Sequence, residues 1–230
     1  MNINGLQKLS LLDFPGKTAC TVFLAGCDMR CPFCHNSELI EGNAEVVMDD
    51  QELLKFLKGR QGLLDGVAFT GGEPLLRKEL PQLFRDIKAL GYAIKLDTNG
   101  NHPDALKVVL DEKLVDYVAM DIKNSPEMYP ETTGTPNFTL KNVKKSIDLI
   151  MNSGIAYEFR TTVVNELHND ESFEGIGKLI ENAENYFLQA FVDRDSVIYS
   201  GFSTPSKENL EKYREIVLKY VKNAKIRGVD

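Results

Sequence analysis

Three of the chain's four cysteines fall within eight residues, in the run Cys27-Asp28-Met29-Arg30-Cys31-Pro32-Phe33-Cys34. Thiolates bind soft metals, and a structural zinc site almost always takes four tetrahedral ligands. This C-x3-C-x-aromatic-C loop supplies three. Three thiolates can hold three irons of a cubane iron–sulfur cluster and leave the fourth iron open for chemistry. His35, directly after Cys34, offers the alternative of a three-cysteine, one-histidine zinc site, although adjacent residues rarely both reach one tetrahedral ion. Cys20 is different: within Thr18-Ala19-Cys20-Thr21-Val22-Phe23-Leu24 it reads as a small core residue of a buried strand.

A second group of polar residues follows short apolar runs. In Gly71-Gly72-Glu73-Pro74 the glycines let a ligand reach backbone N–H and C=O groups, and Glu73 adds a carboxylate. The same four residues also suit a tight strand-to-helix turn with Pro74 at a helix start. Asp121 and Lys123 stand two apart and share one strand face, free to meet a ligand or to pair with each other. Asp97-Thr98 offers oxygen ligands that, with Asp121, suit a hard cation, or else an aspartate cap ahead of His102-Pro103. Arg160 interrupts an apolar strand and needs an anionic or hydroxyl partner, either bound or supplied by Glu158 or Asp121. His102 and His168 lie in polar loops and read as solvated.

The elements that must carry these residues alternate. Strands are expected at Thr18 to Leu24, Gly66 to Thr70, Tyr92 to Leu96, Val115 to Ile122, Ile155 to Val164 and Tyr186 to Val192. Between them run amphipathic helices. Leu53, Phe56 and Leu57 share a face behind an Asp49-Asp50 cap, and Leu80, Leu83, Phe84, Ile87 and Leu90 form a stripe closed by Gly91. Further stripes run through Leu106 to Leu110, Leu140 to Met151, Phe173 to Ala183 and Leu210 to Val221. Such alternation predicts a parallel α/β sheet. Six units are too few for a closed eight-fold barrel, so an open, partial (β/α)6 TIM-like barrel is expected, as a single domain over 1–230. In that architecture these polar residues gather at one rim, the C-terminal ends of the strands. Asn124 to Asn137, with three prolines and no periodicity, is expected to be a functional loop.

Bulk composition narrows the class. A net charge of -7 argues against a nucleic-acid-binding face. No apolar run approaches a membrane span, and Met1-Asn2-Ile3-Asn4-Gly5 lacks the basic start of a signal peptide, so a cytoplasmic place is expected. Clustered cysteines in reducing surroundings point to metal rather than to disulfides.

In this order, the cysteine loop, the Gly-Gly-Glu-Pro turn and Asp121-Ile122-Lys123 resemble the radical S-adenosylmethionine superfamily over nearly the whole chain. Phe23-Leu24-Ala25-Gly26-Cys27 running into Cys34-His35-Asn36, with Leu11-Leu12-Asp13-Phe14-Pro15-Gly16-Lys17 upstream, is similar to the activating enzymes of glycyl radical enzymes. Among them it resembles the activators of anaerobic ribonucleoside-triphosphate reductase and of pyruvate formate-lyase. The resemblance implies a 4Fe-4S cluster on Cys27, Cys31 and Cys34, with S-adenosylmethionine chelating the open iron.

It further implies that Phe33 packs near the adenine within the cofactor loop that Cys34 and His35 complete. Gly71, Gly72 and Glu73 meet the methionyl ammonium and Lys123 meets the carboxylate, while Arg160 joins the cofactor-binding candidates on its strand position alone. Asp97, Thr98 and Asp121 match a monovalent cation site. Gln189 stands near the end of strand six, where the pyruvate formate-lyase activator has a cofactor-contacting histidine. A reduced flavodoxin or ferredoxin would supply an electron, and the 5′-deoxyadenosyl radical would take hydrogen from a glycine of a partner enzyme. No protein acid, base or nucleophile is required. A radical S-adenosylmethionine enzyme acting on a small molecule is the alternative.

Overall fold

The structure is a computed structural model and describes residues 1–197 and 199–228. Eight strands form one sheet, and their order across it follows their order in the chain. They are β1 (Gly5–Ser10), β2 (Ala19–Leu24), β3 (Gly66–Gly71) and β4 (Ala93–Thr98). The run continues with β5 (Tyr117–Asp121), β6 (Ala156–Val163), β7 (Tyr186–Ala190) and β8 (Ala224–Arg227). Each neighbouring pair from β2 to β8 is parallel, whereas β1 runs antiparallel to β2. A separate two-residue pairing joins Asn2–Ile3 to Met48–Asp49.

Parallel neighbours need crossovers, which the helices supply. These are α1 (Asp50–Lys58), α2 (Leu80–Ala89), α3 (Pro103–Asp111), α4 (Tyr129–Thr132), α5 (Lys141–Met151), α6 (Asp170–Leu179) and α7 (Lys207–Val217). The Asp49 carboxylate accepts from the Glu52 backbone N–H while Glu52 accepts from that of Asp49, a reciprocal cap that starts α1 where the sequence placed it. Gly91, at φ 90°, follows the end of α2, a conformation glycine takes without strain.

Side-chain alternation sets the two faces of the sheet. Val67 and Phe69, Ile94 and Leu96, Val118 and Met120, and Tyr186 and Leu188 belong to one continuous core shared with the helices. The intervening residues include Lys95, Asp97, Asp121, Arg160 and Gln189, which face a cavity on the other side or lie beneath it. In a flat sheet β1 and β7 would lie about 29 Å apart at a strand spacing of about 4.8 Å. Yet Gln7 of β1 and Gln189 of β7 line the same cavity of about 410 Å³, so the sheet curls into an open partial barrel.

Three expectations are revised. The sheet has eight strands rather than six, because edge strands β1 and β8 flank the predicted set. Asn124 to Asn137 is not without regular structure: it contains the single turn α4, anchored by fully buried Tyr129 stacking on Phe138 at 5.2 Å. The last helix stops at Val217, and Val221 enters the core from the turn beyond it. Cys20 is fully buried, as its strand position required. Among the described residues no helix is long and apolar enough to cross a membrane.

Candidate cofactor site

The cysteine loop is stitched to the sheet by backbone. Gly26 N–H donates to Leu39 C=O and Cys27 N–H to Ile40 C=O, while Gly72 and Glu73 N–H groups donate to Leu24 and Gly26 carbonyls, both at 2.8 Å. The last two bonds revise the reading of the Gly-Gly turn, whose N–H groups serve the end of β2 instead of standing open to a ligand. A Cβ on Gly72 would lie 2.2 Å from the Gly26 carbonyl oxygen, and Gly71 holds φ 113° against Leu24. Glycine is required here because two strand-end turns lie backbone on backbone.

Thirteen of the fourteen candidate residues line the 410 Å³ cavity: Cys27, Cys31, Phe33, Cys34, His35, Gly71, Gly72, Asp97, Thr98, Asp121, Lys123, Arg160 and Gln189. The volume lies within the range of about 300–1,000 Å³ common to ligand clefts. A larger groove of about 870 Å³ runs among α5, α6 and α7, but none of the candidate residues lines it.

Glu73 is the exception. It is fully buried, and its carboxylate accepts from Thr98 Oγ1 at 2.9 Å, Asn99 N–H at 2.7 Å and Leu75 N–H at 3.1 Å. Its side chain braces the end of β4 instead of facing the cavity. Burial pushes its carboxyl up to about 7, against the opposing pull of those hydrogen bonds.

Charged residues across β4, β5 and β6 form a ladder. Lys95 pairs with Asp97, Asp97 Oδ2 with Arg160 Nη2 at 3.0 Å, Arg160 Nε with Asp121 Oδ1 at 2.6 Å, and Asp121 Oδ2 with Lys123 Nζ at 2.8 Å. Burial alone would raise both carboxyls, but their cationic neighbours, Arg160 foremost, hold them below the usual range. Each carboxylate is thus shared between two cations, and Thr98 turns toward Glu73. The residues assigned to a monovalent cation therefore face a guanidinium and a buried glutamate. Lys123 stays charged: burial lowers its pKa, and Asp121 more than compensates.

None of the three thiols is an activated nucleophile. Burial pushes Cys27 up to about 11 and Cys31 up to about 12, and raises Cys34 as well, whereas an activated nucleophile needs a depressed pKa. Lys123 opposes the rise at all three. A metal centre would displace the protons and supply the missing positive charge. His35 does not complete a zinc set: its ring stacks on Phe191 at 5.4 Å, with Nε2 2.7 Å from the Val192 carbonyl. Among the described residues no three His, Cys, Asp or Glu side chains converge on a single ion. Three thiols lining one cavity with the Lys123 cation, and no fourth ligand beside them among the described residues, suit a cluster that takes one iron per thiol.

Two positioning groups escaped sequence reasoning. Asp28, inside the cysteine loop, accepts from Asn99 Nδ2 at 2.8 Å and Asn101 Nδ2 at 2.6 Å, and lies 3.0 Å from His102 Nε2. Burial would raise its carboxyl, but those three partners hold it well below the usual carboxylate range. His168, read as solvated, is instead buried at 3% exposure, with Nδ1 accepting from Val164 N–H and Nε2 2.9 Å from the Lys123 carbonyl. His102 likewise is half-buried on Asp28 rather than solvated. The neighbouring polar run Asp97-Thr98-Asn99-Gly100 was a visible signal for Asn99; nothing local marks His168.

Residues 21–180 match the Radical SAM superfamily, and the chain belongs to it. A protein of Methanocaldococcus jannaschii assigned as a glycyl-radical enzyme activating enzyme is 30% identical over 99% of this chain and 96% of its own length. Pyruvate formate-lyase-activating enzyme of Staphylococcus epidermidis is 30% identical over 75% of this chain and 79% of its own. In fold, the chain is similar to Streptococcus suis SuiB, solved with S-adenosylmethionine bound. The TM-score is 0.68 at 14% identity, over 89% of this chain and 49% of that one.

Proposed function

We propose that this protein is the activating enzyme of a glycyl radical enzyme. The observation that carries the reading is the meeting of Cys27, Cys31 and Cys34 with the Gly71-Gly72 turn and Lys123 around one cavity. Cys27, Cys31 and Cys34 hold a 4Fe-4S cluster, and Gly71, Gly72, Lys123, Phe33 and Gln189 hold S-adenosylmethionine against it. When bound, the cluster supplies an electron and S-adenosylmethionine the 5′-deoxyadenosyl group that takes a hydrogen atom from the partner's glycine.

The protein's own work is placement and exclusion of water. Lys123 presents a fixed ammonium to the cofactor carboxylate, held by Asp121. Phe33, which lines the cavity, packs into a small apolar cluster with Val164, Phe191, Phe202 and Leu167 and so keeps an apolar side chain on the cavity wall. The open side of the curled sheet, between edge strands β1 and β8, admits a chain segment that a closed barrel would exclude. The partner is a glycyl radical enzyme such as anaerobic ribonucleotide reductase, and the electron donor a flavodoxin or ferredoxin.

The test is isotopic. Anaerobically reconstituted protein, reduced in the presence of S-adenosylmethionine, should transfer deuterium from a glycine-deuterated glycyl radical enzyme into 5′-deoxyadenosine. Deuterium arriving only from a small molecule would replace this reading with that of a small-molecule enzyme.

A further inference from the structure

We propose that Asp28 is a positioning residue: its carboxylate is the latch by which the end of β4 holds the cysteine loop, and it directs the Asn99 amide onto Cys27. The inference rests on the cysteines as cluster ligands and is independent of which partner is activated. Asp28 directly follows Cys27, so anything that fixes its side chain fixes the first ligand. Both of its oxygens are engaged, Oδ1 by Asn99 and Oδ2 by Asn101 and His102. All three partners come from one short run after β4.

That run is itself held from behind. Asn99 N–H donates to Glu73, Asn101 N–H donates to Asn99 Oδ1, and Ser146 of α5 donates to the Gly100 carbonyl at 2.7 Å. The latch is therefore anchored on a rigid support, as ligand-orienting partners around metals commonly are. Asn99 adds an electronic effect. Its Nδ2 lies 2.8 Å from Asp28 Oδ1 and 3.9 Å from Cys27 Sγ, which also accepts from Met29 N–H at 3.4 Å. Donors to a ligating sulfur stabilise the more reduced cluster and raise its potential. With Asp28 gone, Asn99 Nδ2 loses its one short acceptor and keeps only the 3.9 Å contact to Cys27 Sγ.

Two arms test this in Asp28→Ala and the milder His102→Ala. In the metal-free protein, site-resolved alkylation should show Cys27 and Cys31 reacting about tenfold faster in Asp28→Ala, with a smaller gain in His102→Ala and none at buried Cys20. In the reconstituted protein, iron should be lost to a chelator faster by a similar factor. The reduction potential should become more negative in both Asp28→Ala and Asn99→Ala. Unchanged alkylation and potential would overturn the latch, and so would equal acceleration at Cys20, which signals general loosening. Failure of the unsubstituted protein to hold iron would instead overturn the cluster reading, leaving the alkylation arm to judge the latch.

Discussion

Glu73 shows how a residue placed near a cofactor can act by bracing the wall. Its burial raises the carboxyl from 4.5 to about 7 in the folded protein. The folded state holds that proton to higher pH than the unfolded state. The resulting stabilisation is complete below pH 4.5 and is lost as pH rises through about 7. Replacing Glu73 by Gln should flatten this component of the stability curve, read as the difference in denaturant midpoints between the two proteins from pH 4.5 to 7. An unchanged slope would mean that Glu73 is ionised throughout. At the same scale, Lys123 is the cation that opposes the burial-driven rise at all three loop thiols.

Between residue and molecule, the strand-end turns do the positioning. The turn after β5 carries Lys123, and the turn after β6 reaches back to it through His168 and through the Leu167 carbonyl, which accepts from Asn124 Nδ2 at 2.8 Å. Tyr129 of α4 accepts from the Lys123 N–H at 3.3 Å. This single-turn helix therefore belongs to the site's support. His168→Ala should leave the Lys123 carbonyl and the Val164 N–H without their partner. It should cost about 2 kcal/mol or more in denaturant unfolding, since each unsatisfied buried group costs about 1–3 kcal/mol. S-adenosylmethionine affinity should fall with it; unchanged affinity in a destabilised protein would show that His168 supports the fold alone.

Across the whole molecule, the curl of the sheet brings the charge ladder together. Arg160 of β6 reaches past β5 to Asp97 of β4, which ties three strands on the concave side. Arg160→Leu should destabilise the protein by about 1–3 kcal/mol near neutral pH, because it leaves two partly buried carboxylates with one cation each. In the unsubstituted protein the lowered carboxyls stabilise the fold above their unfolded pKa and lose that effect as pH falls. The deficit of the variant should therefore shrink in acid as Asp97 and Asp121 take up protons. A deficit independent of pH would assign the effect to packing.

The amino-acid order by itself determined the ligand loop, the six parallel strands and the rim on which the polar residues meet. Those features are local: three thiols at fixed spacing, apolar periodicity, glycines and caps at element ends. Edge strands β1 and β8 were illegible because neither carries a run of buried apolar residues, and pairing with a neighbour defines them. Tertiary structure alone decided where side chains turn. Glu73 points inward to Thr98 and Asn99, His168 is buried under Lys123, and Asp28 is gripped from the end of β4. Each depends on a partner 25 to 74 residues away in the chain, and the order of strands in the sheet, which no local pattern encodes, brings them within hydrogen-bonding distance.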